Sequence, residues 1–230
     1  MSQNSSSDDE RKWDKKMPGP IVVSELPYIR SELADLDLER QKLNEVVDYA
    51  DRERSFCTIN DVKGFHLGLG YAKAARALRD HFCGEVWEVE ETDNQAGIRH
   101  KHRSIRVIPM NFDENAGNPD ETVTPRPAKV KGSATKKKIR CNETGWLPGL
   151  DMPEPIVDEM QTWILGFGPP DEDGFVGREL SLPLEFDGNK FSKFVKRIIL
   201  DIRTDGDNED DRLSVPNEPT ETIDIPIIRK

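Results

Sequence analysis

Three cations, Lys73, Arg76 and Arg79, recur every third residue in the stretch LGLGYAKAARALRDHF at residues 67–82. On a helix of about 3.6 residues per turn, Tyr71, Ala74, Ala75, Leu78 and Phe82 share one face. Lys73, Arg76 and Asp80 fall opposite, with Ala72 and Arg79 beside them. The alanines let such a helix lie close to its neighbours, and cations on the outer face suit phosphate oxygens and base edges. A second cationic group follows at Arg99, His100, Lys101, His102 and Arg103. Placed on a loop, these side chains can lie along a phosphate backbone, where counterion release supplies affinity without regard to sequence.

Other chemistries find less to work with. Cys57, His66, His81 and Cys83 are soft or borderline ligand types, but their spacing fits no zinc finger. His100 and His102 with Asp93 lack the paired carboxylate framework of a nuclease, and EVEETD and PDEDG supply acids without a D…E-x-K pattern. The expectation is a non-enzymatic chain with no cofactor and no metal. Three cysteines, an odd count at wide spacing, fit reduced thiols better than a disulfide framework.

Net charge is −11, with 35% hydrophobic and 33% charged residues, so a core is possible but not generous. The distribution is more informative than the total. Residues 1–95 hold 13 Lys/Arg against 20 Asp/Glu (−7), residues 96–141 hold 11 against 4 (+7), and residues 142–230 hold 9 against 20 (−11). A basic middle between acidic ends suits contact with a polyanion, the acidic ends limiting non-specific adhesion. No apolar run reaches the roughly 20 residues of a membrane span. The N-terminus, MSQNSSSDDERKWDKK, has no apolar h-region. A cytoplasmic location without membrane contact is expected.

The elements that must position these cations follow from periodicity. PGPIVVSELPYIR predicts a short extended segment at Ile21–Val23. IRSELADLDLERQKLNEVVDYADRE predicts one long helix with a stripe of Ile29, Leu33, Leu36, Leu43, Val47 and Ala50, capped by Ser31. Thr58 and Asp61 have the form of a capping box opening a short helix to about His66. Gly68 and Gly70 then mark a tight turn before a helix at Tyr71–Phe82. EVWEVEE and SIRVIPMNF predict strands, with TDNQAGIRHKHR as a long basic loop between them. Residues 113–140 read as a basic linker, in which KVKGSATKKK could add phosphate affinity. Beyond it, PEPIVDEMQTWILGF predicts a helix, RELSLPLEF a strand and NKFSKFVKRIILDI an amphipathic helix. Trp163, Ile164, Leu165, Phe191, Phe194, Ile198 and Ile199 would form the core of this half or a self-association face.

The series GYAKAARAL, with Gly70, Tyr71, Lys73, Ala74, Ala75, Arg76 and Leu78, followed by a glycine that opens a hairpin, resembles the winged-helix gamma domain of FtsK/SpoIIIE-type DNA translocases. The resemblance covers about residues 56–108, and without a Walker A pattern it does not extend to the motor. It implies a helix-turn-helix whose second helix enters the major groove, with Lys73 and Arg76 toward the bases and the hairpin as a wing.

The expected fold class is therefore α+β: a winged helix-turn-helix domain, a linker and a small α+β C-terminal region. Its divisions are a disordered tail (1–17), a winged-helix domain with a long first helix (18–112), a basic linker (113–140), a small α+β domain (141–204) and an acidic tail (205–230). The expected function is non-enzymatic binding of double-stranded DNA through Lys73, Arg76, Arg79, Arg99, Lys101 and Arg103, as a transcription regulator or accessory subunit of a nucleoprotein complex. Residues 153–202 would meet a protein partner or a second copy. The alternative is a winged helix used for protein–protein contact, without direct DNA binding.

Overall fold

The computed structural model describes residues 19–129, 135, 138, 139, 142, 160–187 and 190–201. The expected tails at 1–17 and 205–230 lie outside them. The architecture is α+β, with elements in the order β1 (Ile21–Val23), α1 (Leu26–Ala34), α2 (Arg40–Ser55), α3 (Phe65–Phe82), β2 (Trp87–Glu90), β3 (Gly97–His100), β4 (Ile105–Asn111), β5 (Gln161–Pro170), β6 (Val176–Asp187) and β7 (Lys190–Ile199). The strands form a seven-stranded mixed sheet in the order β1-β7-β6-β5-β4-β3-β2. The β1–β7 and β4–β5 pairs are parallel and the others antiparallel.

Alternation along the central strands assigns the two faces. Ile105 and Val107 of β4, Trp163, Leu165 and Phe167 of β5, and Leu180 of β6 pack with Leu33, Leu43, Val46, Val47, Ala74 and Leu78 of the helices. The intervening residues Ile108, Met110 and Ile164 join Phe112, Ala116, Ile139, Phe191 and Phe194 in a second buried cluster. Strands covered on both faces read as continuous apolar runs rather than as alternation.

That double covering explains where the sequence expectations fail. Gln161–Pro170 is a strand, not the end of a helix, because the run TWILGF is buried on both sides. KFSKFVKRII, within the stretch expected as an amphipathic helix, is also a strand. Its helix-like spacing of Phe191 and Phe194 arises from register shifts between β6 and β7, between Leu182 and Phe186, which bring both rings into one cluster. Trp163, Ile164, Leu165, Phe191, Phe194, Ile198 and Ile199 are all buried, so they are core and offer no self-association face. Strands β5–β7, expected in a separate domain at 141–204, complete the same sheet as β2–β4.

The expected long first helix is two helices. Leu38 N–H donates to Leu33 O (2.9 Å) and Asp37 N–H to Ala34 O (3.0 Å), closing α1 in a Schellman-type turn with Asp37 left-handed at φ 56°. Ser31 lies inside α1 and caps nothing. Gly68 and Gly70 do not form a turn. They lie inside α3, which begins after Gly64 (φ 77°). Thr58 and Asp61 do exchange bonds, Thr58 N–H to Asp61 Oδ2 (2.7 Å) and Asp61 N–H to Thr58 O (3.1 Å), but they close a turn rather than start a helix. The basic loop expected at residues 92–103 contains a 3-10 turn at Thr92–Asn94 and the strand β3. The hairpin is not a free wing, because β4 pairs on its other side with β5.

The linker expectation also needs correction. Residues 113–129 pack against the sheet, with Ala116 buried and Phe112 bridged to Pro127. The Arg197 guanidinium, itself fully buried, donates to the carbonyls of Asn118 (3.0 Å) and Val123 (2.8 Å). In KKKIR, Lys138 is 1% exposed and donates to Glu90 Oε1 (3.1 Å) and Thr92 O (2.9 Å). Burial alone would raise Glu90. Hydrogen bonds from Thr92 and Lys138 more than offset it and hold the carboxyl below the usual range. Lys138 is therefore not available to phosphate, and the rest of residues 130–141, apart from helical Thr135 and Ile139, lies outside the described residues.

Candidate functional site

Helix α3 turns Ala74, Ala75 and Leu78 inward, as its spacing requires, and Arg76 outward. The cations expected to face DNA are, however, engaged within the chain. Lys73 hydrogen-bonds to Glu53 of α2, which raises the ammonium above the usual lysine range. Arg79 donates to the carbonyls of Glu90 (2.8 Å) and Gly97 (3.2 Å), joining α3 to β2 and β3. Arg99 pairs with Glu88 (2.8 Å) directly across the β2–β3 ladder, and Lys101 donates to Gly84 O. Arg103 donates to Asp35 O (2.6 Å) and Asp37 Oδ2 (3.2 Å). Arg76 is more open than Lys73, Arg79, Arg99 and Arg103, at 68% exposed and 3.5 Å from Asp80. The structure thus divides them between the outer side of α3 and the β2–β3 edge. A phosphate would have to compete with a carboxylate or carbonyl at each.

Buried His100 belongs to the fold. Its Nδ1 accepts from His102 N–H (3.1 Å), its Nε2 lies 3.0 Å from Asp37 Oδ2, and its ring meets Trp87 edge-on at 5.1 Å. Trp87 Nε1–H in turn donates to Asp37 O (3.0 Å), so Asp37 ties the α1–α2 corner to the sheet edge. The hydrogen bond to His100, followed by that to Arg103, holds the Asp37 carboxyl below its usual range. A depressed carboxyl stabilises the fold above the ordinary aspartate pKa of about 3.9, and that contribution is lost as pH falls through the lowered value. Asp37→Asn tolerates the left-handed backbone and removes the titration. The urea midpoint of this variant should fall less steeply than that of the wild type between about pH 4 and pH 2. Parallel slopes would show that Asp37 is not linked to folding.

The possible metal ligands are dispersed. Cys57 and His66 lie near the start of α3, whereas His81, 3.7 Å from Glu45, and Cys83 lie at its other end. His66 and His81, near opposite ends of α3, stand about 22 Å apart along its axis. Among the described residues, no group of three or more His, Cys, Asp or Glu side chains could hold a metal ion. Cys57 and Cys83 are free thiols, and Cys141 lies outside the described residues. No helix among the described residues is long and apolar enough to cross a membrane.

The most distinctive surface is the connection from α2 to α3, which the sequence reading passed over. Phe56 is 73% exposed, Ile59 100%, Val62 75% and Phe65 45%. Scattered apolar residues are ordinary on a surface, but four large ones within ten residues of one loop are not. Their recurrence at every third position is visible in SFCTINDVKGF. It resembles the buried stripe of a helix, yet the chain here forms turns that leave these side chains exposed among the described residues.

Beside this loop opens a cavity of about 520 Å³. Its walls come from the end of α2, the loop itself, the first turn of α3 and the ends of β4 and β5. Leu67, Phe112, Pro169 and Pro170 make it partly apolar, and Asp51, Asp113 and Glu114 bring carboxylates. Arg54 also lines it, but its Nε donates to Asp51 (2.7 Å) and its Nη2 to Gly168 O (2.6 Å), leaving the residue 8% exposed. This volume and mixed lining are typical of a binding pocket. No protein-family model, curated protein or solved structure matches the chain.

Proposed function

We propose that this chain is a protein-interaction module, a non-catalytic subunit of a larger assembly that docks a partner through the α2–α3 loop. The observation that carries this reading is the set Phe56, Ile59, Val62 and Phe65, exposed along the loop whose Cys57 and Thr58 line a cavity. A few residues that become fully desolvated on docking carry most of the binding energy at an interface. The partner is a different protein rather than a second copy, because each copy carries −11 and two copies repel each other. The order α2, α3, β2, β3, β4 supports reading this part as a winged-helix-like unit built into a larger sheet. Direct binding of double-stranded DNA is the competing reading, favoured by the +7 middle of the chain, but the pairing of Lys73, Arg79, Arg99, Lys101 and Arg103 speaks against it.

Ile59 and Val62 add nothing to the core, so Ile59→Asp with Val62→Asp should leave the circular dichroism unchanged. The partner would be captured with the native chain, identified by mass spectrometry and purified. The double variant should weaken reconstituted binding by at least about 100-fold, since each lost anchor is worth about 2 kcal/mol. Unchanged affinity would refute docking through this loop. Mobility shifts at about 50 mM and about 200 mM salt provide the second arm. A shift that falls steeply with salt and disappears in Lys73→Glu/Arg76→Glu would restore the DNA reading.

A further inference from the structure

We infer that the cavity beside the α2–α3 loop receives a cationic side chain, arginine or lysine, from the segment that docks on the loop. This rests on the docking reading and specifies the partner's chemistry. The cavity's charge decides the sign. The Arg54 guanidinium is neutralised by Asp51, capped by Gly168 O and placed 5.5 Å over the Phe167 ring, so it offers no charge to a ligand. Asp113 and Glu114 remain in excess. The Asp113 carboxylate is fixed by the N–H groups of Asn115 (3.3 Å) and Arg126 (3.0 Å), and Glu114 is exposed. The start of α3 contributes about half a positive charge. Lys129 donates to Gly64 O at 3.0 Å, and Lys63 stands on the loop. Neither lysine lines the cavity, so its own walls stay negative.

The lining also suits the shape of such a side chain. Leu67, Phe112, Pro169 and Pro170 can cover a methylene stem while its charged head reaches the carboxylates at the β4 end.

The probes are a short fluorescein-labelled peptide of leucine and arginine and the same peptide with every arginine replaced by citrulline, its neutral isostere. Anisotropy with the full chain should show the arginine peptide binding at least about tenfold more tightly, as expected for a paired and partly desolvated charge. Asp113→Asn with Glu114→Gln should bring the two peptides to within about twofold of each other. Asp80→Asn with Glu91→Gln, at the far end of α3, removes the same charge and should leave the preference intact. If it erodes the preference equally, net charge rather than the cavity attracts arginine, and the inference fails. If both peptides bind the native chain equally and Ile59→Asp abolishes both, the loop docks a partner but the cavity does not select a cation. If neither peptide binds, or Ile59→Asp has no effect, the docking reading fails and the inference with it.

Discussion

Arg197→Met should destabilise the fold by about 3–5 kcal/mol, the cost of leaving one member of a buried ion pair without its partner. Arg197 and Glu179 are both 0% exposed, joined by Nε–Oε1 (3.0 Å) and Nη2–Oε2 (2.5 Å). The remaining guanidinium hydrogens reach the carbonyls of Asn118 and Val123, and Glu179 Oε2 accepts from Gly117 N–H (2.9 Å). One pair therefore fastens the 113–129 segment to β6 and β7. Against a total stability of about 5–15 kcal/mol, the loss is large enough to show as a shifted urea midpoint. The same segment supplies Asp113, Glu114 and Ala128 to the cavity, so trypsin should cut after Lys129, at its end, faster in the variant. Arg197→Met with Glu179→Leu should regain the part of the loss that comes from the stranded carboxylate. It should not regain the part that comes from the carbonyls of Asn118 and Val123, which stay without a donor. An unchanged midpoint in the single variant would mean that the pair does not anchor the segment.

The same residues show why the sequence was legible only in part. Strands β2, β4 and β6 and the inner face of α3 follow from short-range pattern, since Ala74, Ala75 and Leu78 need only one helix and one neighbour to be placed. Strands β5 and β7 do not, because a strand buried on both faces, or one carrying bulges, loses the period of two that marks it. Arg197 in KRIILD reads as a surface cation. Only the pairing of β6 with β7 brings Glu179 beside it, 18 positions away. Lys73, Arg79 and Arg103 likewise read as free charges until Glu53, Glu90 O and Asp37 are brought to them by contacts absent from any local window. The cavity is the extreme case. Asp51 and Cys57, His66, Phe112 and Pro169 come from four separate stretches, and nothing in the spacing within any one of them reveals the others. The Phe56–Phe65 repeat was visible, but its significance is its exposure among the described residues, which is a property of the fold.

Gly177→Ala is expected to cost about 3 kcal/mol, the upper end of the range for an overpacked site, because the obstacle is backbone. A Cβ at Gly177 would lie 2.0 Å from the Ala116 carbonyl oxygen and 3.0 Å from its carbon, and no rotamer change relieves that contact. Either β6 bends away from β5, or the Ala116–Gly117 peptide lifts off the sheet. The second route is cheaper, since β6 is paired on both sides. Lifting the peptide breaks the Gly117 N–H bond to Glu179, exposes Ala116 and carries the Asp113–Glu114 wall with it. The melting temperature should therefore fall by about 6–12 °C, and the arginine peptide's advantage over its citrulline form should shrink with it. Because Gly177→Ala and Arg197→Met release the same segment, their combined cost should be clearly less than the sum of the two. Strict additivity would mean that close packing at Gly177 and the buried pair hold different parts of the molecule, and that the cavity wall depends on only one of them.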